Sequence, residues 1–241
     1  MAIKIKHQFF DRLNTVDDNL KIKYLIIGTF NPGPPEIDLL DPTEKRQFEV
    51  IEATKKYIDS QSIMNFYDRS KNRFWKIMDI LNSESFYQNN FELINAKGLK
   101  FYKTKVKMNR EKTFDRQQAF CKTHEIFITD LTKYINPSNF CNIYENFPDK
   151  VIEQSNPELN TIEIIAMIKK YHINTILINF DFKSKNTHLL NSQILKIKKE
   201  FPDKTIERIL SPSGAAGNSY SDLLNDWKRY IKINNQATNN V

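Results

Sequence analysis

The chain of 241 residues has little of what marks an exported or membrane-bound protein. No apolar run approaches the ~20 residues that a helix needs to cross a bilayer. The opening Met-Ala-Ile-Lys-Ile-Lys-His lacks the apolar stretch of a signal peptide. Cys121 and Cys141, the only cysteines, are too few for a disulfide framework, and neither stands in a CxxC pair. We therefore expect reduced thiols and a cytoplasmic protein, with no metal site. An iron–sulfur cluster held by four cysteines of this chain is excluded by the count alone.

Lys and Arg number 36 against 29 for Asp and Glu, a formal charge of +7. This balance favours polyanionic partners without identifying one. The main compositional break is residues 96–112, AKGLKFYKTKVKMNREK, where Lys103, Lys105 and Lys107 alternate with Thr104 and Val106. Such a segment reads either as a solvated loop or as an arm that contacts phosphates, with Phe101 and Tyr102 available for stacking.

Hydrophobic patterning is clearer. Residues 21–29 (KIKYLIIGT) form a short apolar run stopped by Asn31-Pro32-Gly33-Pro34-Pro35, the pattern of a buried strand ended by turn residues. Residues 126–131 (IFITDL), 175–180 (TILINF) and 205–210 (TIERIL) read as further strands, the first two apolar enough for burial on both faces. Between them lie helical stretches at 43–60, 71–82, 114–123, 161–171, 186–201 and 220–233. Alternating strands and helices predict an α/β domain over residues 1–233, built on a mainly parallel four-stranded sheet in a three-layer α/β/α sandwich. The polar tail 234–241 is expected to be disordered.

The 5 glycines are informative because they are few. Gly28 and Gly33 follow the first strand, and Gly214 and Gly217 follow the last. Both loops leave carboxyl ends of strands, where α/β folds build their sites, although ordinary tight turns would use glycine in the same way. Neither loop matches a dinucleotide or P-loop fingerprint. Ser219, with Asp222 three residues on, has the form of a capping box.

These two loops, together with Asn65-Phe66-Tyr67 and the stretch ending in Asn72-Arg73-Phe74-Trp75, resemble the uracil-DNA glycosylase superfamily. Gly28-Thr29-Phe30-Asn31-Pro32-Gly33 is similar to the water-activating loop of the mismatch-specific uracil/thymine branch. Asn-Arg-Phe-Trp is similar to the base-pocket segment that this branch shares with the hypoxanthine-DNA glycosylase branch, and residues 209–222 resemble the DNA-inserting loop. The first loop has Asn31 where the branch with the fastest uracil removal has an acid, and no histidine follows His188, so that branch is disfavoured.

The resemblance implies a monofunctional DNA glycosylase that flips out a deaminated or modified base and excises it without a cofactor, leaving an abasic site. Uracil, T or U opposite G, and hypoxanthine are all admitted. Asn31 or Asn72 would position the attacking water. Tyr67, or else Phe66, would stack on the flipped base, with Phe30 beside it. Ser211, Pro212, Ser213 and Gly214 would hold the DNA backbone, assisted by Lys103, Lys105 and Lys107. Plainer readings stand beside these: Asn72 as a helix cap, Phe74 and Trp75 as core, the serine loop as a strand-to-helix turn, and Asp130 as a cap or an orienting group. A member of the superfamily that binds altered nucleic acid with little catalysis is the alternative function. The expected partner is DNA, at the nucleoid if the cell is bacterial, and the expected state is monomeric.

Overall fold

The computed structural model describes residues 4–13, 20–35, 40–49, 51–52, 65–67, 72–82, 110–136, 149–183, 187–213 and 216–233. The expected disordered tail 234–241, Lys103, Lys105 and Lys107, Cys141 and Gly214 lie outside them, as do residues 50 and 53–60 of the helix expected over 43–60.

A parallel sheet forms the frame. Its strands are β2 (Tyr24–Gly28), β4 (Ile126–Asp130), β7 (Thr175–Ile178) and β8 (Thr205–Arg208), in the order β4-β2-β7-β8. All three pairings are parallel. β2 reads Tyr-Leu-Ile-Ile without alternation because both of its faces are covered. Tyr24 and Ile26 join one buried cluster, and Leu25 and Ile27 join the other.

After the short α1 (Phe10–Leu13), helices cover the two faces. α2 (Phe74–Asn82) and α7 (Tyr220–Trp227) bring Phe74, Ile77, Leu223, Leu224 and Trp227 to the first cluster. α5 (Thr161–Lys170) and α6 (His188–Glu200) bring Ile164, Ile168, Leu190, Ile194 and Ile197 to the second. α3 (Arg110–Thr123) leads directly into β4. α7 ends at Trp227, short of the 220–233 stretch, and the following turn lets Lys232 donate its backbone N–H to the Tyr24 hydroxyl at 3.1 Å. The capping box is present: Ser219 Oγ accepts from the Asp222 N–H at 3.1 Å, and Asp222 Oδ2 accepts from the Ser219 N–H at 3.1 Å. Among the described residues no helix is long and apolar enough to cross a membrane.

A second sheet was not expected. β1 (Ile5–His7), β3 (Pro32–Pro35), β5 (Thr132–Ile135) and the two-residue β6 (Glu158–Leu159) pair antiparallel in the order β3-β1-β5-β6. Residues 31–35, read from their prolines and glycine as a turn, thus contain a strand. It lies at the sheet edge, where a proline nitrogen forfeits no ladder bond. The run 126–131 does not continue as one strand either. It leaves the parallel sheet after Asp130, bends at Leu131 and enters the antiparallel sheet as β5. Asp130 therefore stands at the corner between the two sheets.

Trp227 is fully buried, crosses Phe74 edge-on at 5.4 Å and donates its indole N–H to the Leu210 carbonyl at 2.9 Å. Trp227→Ala should cost about 3–5 kcal/mol in urea unfolding, with the slope of the transition unchanged.

Candidate functional site

In the order β4-β2-β7, the chain leaves β2 toward β4 on one side and reaches β7 on the other. The carboxyl ends of β2 and β7 therefore flank a topological switch point, where open α/β sheets place ligands. The side chains gathered there belong to Asn31 after β2, Asp130 at the end of β4, Asn179 after β7, His7 of β1 and Tyr67.

Asp130 is the hub. Its carboxylate is 1% exposed, and Oδ2 accepts from His7 Nε2 at 2.8 Å and from Asn31 Nδ2 at 2.7 Å. Oδ1 accepts from the Tyr67 hydroxyl at 3.3 Å. A buried carboxylate is tolerated only when its lone pairs are met in this way. His7 Nδ1 accepts from the Phe9 backbone N–H at 2.9 Å, so Nε2 carries the hydrogen given to Asp130. The imidazole sits among Phe9, Phe30 and Phe66, with ring centroids at 6.0, 5.6 and 5.5 Å. Asn31 is likewise oriented, because a carboxylate accepts only from Nδ2, which leaves Oδ1 as the acceptor end of the amide.

Gly28 shows why this strand ends in glycine. A Cβ there would lie 2.1 Å from the Tyr67 hydroxyl and 2.3 Å from Asp130 Oδ1. Both polar groups rest directly on its bare backbone. At Gly33 a Cβ would meet the Lys6 carbonyl at 2.8 Å, and the Gln8 N–H donates to the Asn31 carbonyl at 2.8 Å. The loop after β2 is thus held against the N-terminal segment.

Tyr67 has a φ of 59°, in the left-handed region that a tyrosine rarely adopts. Its ring stacks on Phe74 at 4.6 Å, and the preceding Phe66 carbonyl accepts from the Trp75 indole at 2.7 Å. Burial, reinforced by the charge of Asp130, raises the phenol well above its ordinary range. The hydroxyl is therefore a structural donor, whereas a purely stacking role would leave it dispensable. Phe66 packs on Phe9 at 4.8 Å, and Phe30 joins a small cluster with Ile5, Ile135 and Ile152.

Asn72 and the last loop meet elsewhere on the same side. Asn72 Oδ1 accepts from the Phe74 N–H at 2.9 Å, which caps the start of α2, and Asn72 forms a backbone bridge with Ser213. The contact between these segments is built by Arg73. Its backbone N–H and Nε donate to the Pro212 carbonyl at 3.0 and 3.4 Å, Nη2 donates to Ser213 O at 3.1 Å, and Nη1 donates to Asn218 O. Within the loop, Ser211 Oγ accepts from the Ser213 N–H at 3.3 Å, and Gly217 takes a φ of 70°. Pro212 is buried.

The residues that sequence reasoning missed are His7, Arg73 as a latch, Asn179 and Asp149. His7 had a signal in the alternation Ile3-Lys4-Ile5-Lys6-His7, which is a strand pattern. Asp149 opens α4 (Asp149–Gln154), and its carboxyl is bonded by the Thr29 side chain. Burial holds this carboxyl above its ordinary value; Thr29 pulls it back, and the nearby Asp130 and Asp181 push it further up. Among the described residues no group of three or more His, Cys, Asp or Glu side chains is placed to hold a metal ion.

No protein-family model matches the chain, and no curated protein is significantly similar to it.

Two outcomes follow from this geometry. Gly28→Ala should force Tyr67 and Asp130 apart and destabilise the fold by about 1–3 kcal/mol, measurable by urea unfolding, whereas Gly217→Ala should act only through its backbone angle. Asp149 retains in the folded state a proton that the unfolded chain releases above its ordinary value of 3.8, so its contribution to stability falls as pH rises. Asp149→Asn should accordingly be more stable than the parent at about pH 7, with the difference vanishing near about pH 3 in thermal melts.

Proposed function

We propose that the protein is a monofunctional DNA glycosylase that hydrolyses the N-glycosidic bond of a deaminated or otherwise modified base. The observation that carries this reading is that the resembling segments come together on one side of the parallel sheet. Arg73 binds the start of the Phe-Trp helix to the Ser211-Pro212-Ser213 loop, and Tyr67 reaches Asp130 across Gly28. Segments so far apart in sequence have no reason of local chemistry to converge there. We also read the parallel sheet, with an apolar cluster and helices on each face, as the middle of a three-layer α/β/α sandwich.

The chemistry fits the groups present. Breaking the C1′–N bond sends its electron pair to the base and leaves an oxocarbenium-like sugar, which water attacks from the opposite face. Water supplies the hydroxyl to C1′, and the base ends with the other proton. Asn31 is suited to orient that water, because its Nδ2 is fixed on Asp130, which leaves Oδ1 as the acceptor end of the amide. An amide is too weak a base to do more. The buried carboxylate of Asp130 supplies negative charge near the developing cation, in an environment where such charge acts strongly. Asn72 suits the capping role better, since its Oδ1 is engaged by the helix N-terminus. Ser211 and Ser213 stand on a loop made rigid by Arg73, as phosphate contacts require.

Duplex and single-stranded oligonucleotides carrying uracil, hypoxanthine or a T·G mismatch, incubated with excess protein, test the reading by release of free base. Asn31→Ala should slow the single-turnover step roughly 100-fold or more while leaving DNA binding nearly intact. Asn72→Ala should instead cost about 1 kcal/mol of stability and leave the chemical step close to the parent's. Oligonucleotide binding without release of any base would replace the enzyme with a nucleic-acid-binding member of the same fold.

A further inference from the structure

The antiparallel sheet joins the two places where the chain leaves the parallel sheet on either side of the site. β3 begins directly after Asn31, β5 begins just after Asp130, and β1 lies between them and pairs with both. The alternation Ile5-Lys6-His7 turns Ile5 and His7 inward, and His7 stands opposite Pro32, the residue that follows Asn31. Gln8 then donates its backbone N–H to the Asn31 carbonyl at 2.8 Å. His7 is thereby held between the asparagine loop and the carboxylate.

Both ring nitrogens of His7 are engaged. Nδ1 accepts from the Phe9 N–H at 2.9 Å, Nε2 donates to Asp130 Oδ2 at 2.8 Å, and the side chain is fully buried. Neither nitrogen is left to touch a substrate. A ring whose Nδ1 lone pair is taken by an N–H is a neutral imidazole, so it gives Asp130 a hydrogen bond without a compensating positive charge. Asn31 Nδ2 donates to the same oxygen at 2.7 Å. Two donors converging on Oδ2 fix where that oxygen lies, and hence how the Asn31 amide is turned. Without the imidazole, the carboxylate is held by Asn31 and by the longer bond from Tyr67 at 3.3 Å, and carboxylate and amide can turn together.

We propose that His7 is a positioning residue of this site: a buried neutral donor, placed by β1, that sets the Asn31 amide through their shared oxygen on Asp130 and leaves the charge of Asp130 uncancelled. The proposal deepens the glycosylase reading and rests on it. Asn31 acts there through the direction of its Oδ1, so a small rotation of the amide misplaces the attacking water. An imidazolium would offset the negative charge that faces the developing sugar cation, whereas a neutral ring preserves it. The N-terminal strand, remote in sequence from every segment of the resemblance, thus sets the geometry of the water-positioning loop.

The test compares wild type, His7→Gln and His7→Asn in single-turnover base release from uracil- and hypoxanthine-containing oligonucleotides, in oligonucleotide affinity and in thermal melts that establish folding. A glutamine amide reaches Asp130 from the place of Nε2, whereas an asparagine amide keeps an acceptor for the Phe9 N–H and stops short of Asp130. His7→Asn should slow the single-turnover step about 10- to 100-fold with affinity within about 3-fold of wild type, and His7→Gln should recover most of that loss. Added to Asn31→Ala, His7→Asn should cost no more than about 3-fold further, because the two residues act through one oxygen. Imidazole nitrogen NMR shifts of the wild type, which need no variant, should show Nε2 protonated and Nδ1 unprotonated at the pH of the assay. A wild-type rate in His7→Asn, a loss that His7→Gln does not recover, the full loss repeated on top of Asn31→Ala, or an imidazolium at His7 overturns the role of His7 and leaves the glycosylase reading standing. A wild type that releases no base overturns that reading and the role with it.

Discussion

The arrangement of this protein turns on one buried carboxylate. Asp130 closes a strand of the parallel sheet, and the next residue, Leu131, begins the bend into the antiparallel sheet. Withdrawing a carboxylate from water is expensive unless each lone pair finds a donor, and at Asp130 the donors come from His7 in the small sheet, Asn31 after β2, and Tyr67. The cost of burial thus becomes a specification. Each donor must be held at hydrogen-bond distance, so the N-terminal strand, the loop after β2 and the Tyr67 segment have little freedom relative to the parallel sheet. Asn160 extends the same logic to the backbone by donating to the Asp130 carbonyl, and its own N–H donates to Leu131 O at 2.7 Å.

What was legible in the sequence follows from periodicity. The runs Tyr24-Leu25-Ile26-Ile27 and Thr175-Ile176-Leu177-Ile178 announce strands covered on both faces, and the capping box before Tyr220 announces its helix. The antiparallel sheet was not legible, because its strands are short and their pairing is non-local. Pro32, Pro34 and Pro35 carry turn chemistry in any local reading. Only the placement of β3 at an edge, fixed by its pairing with β1, makes a strand of them. The role of His7 was not legible for the same reason: its strand pattern is local, but nothing in its neighbourhood names Asp130 as its partner, 123 residues away.

The candidate site divides in the same way. Residue types at Gly28, Asn31, Tyr67 and Ser213 pointed to their segments, but not to their partners. Tyr67 reads as a stacking ring from sequence, and its ring does stack, on Phe74 of its own chain. Its hydroxyl role depends on a close approach over Gly28 that no local pattern encodes. Arg73 is similar. On the sequence it is one cation in a basic chain, whereas in the fold it gathers carbonyls from a loop 139 to 145 residues away and sits over the Tyr220 ring at 5.5 Å.

Tyr67 also sets the balance between stability and function at the switch point. A left-handed tyrosine costs of order 1 kcal/mol or more. Strain of this kind persists only where the surroundings determine it from several sides. Here the Trp75 indole fixes the Phe66 carbonyl, Phe74 supports the Tyr67 ring, and Asp130 takes the hydroxyl. The rigid apolar cluster beneath, with Phe74 and Trp227 fully buried, supplies the surplus that lets the backbone above carry this strain. A site assembled in this way holds its polar groups in place without first reorganising, and preorganisation of that kind is what a binding or catalytic surface requires of the fold that carries it.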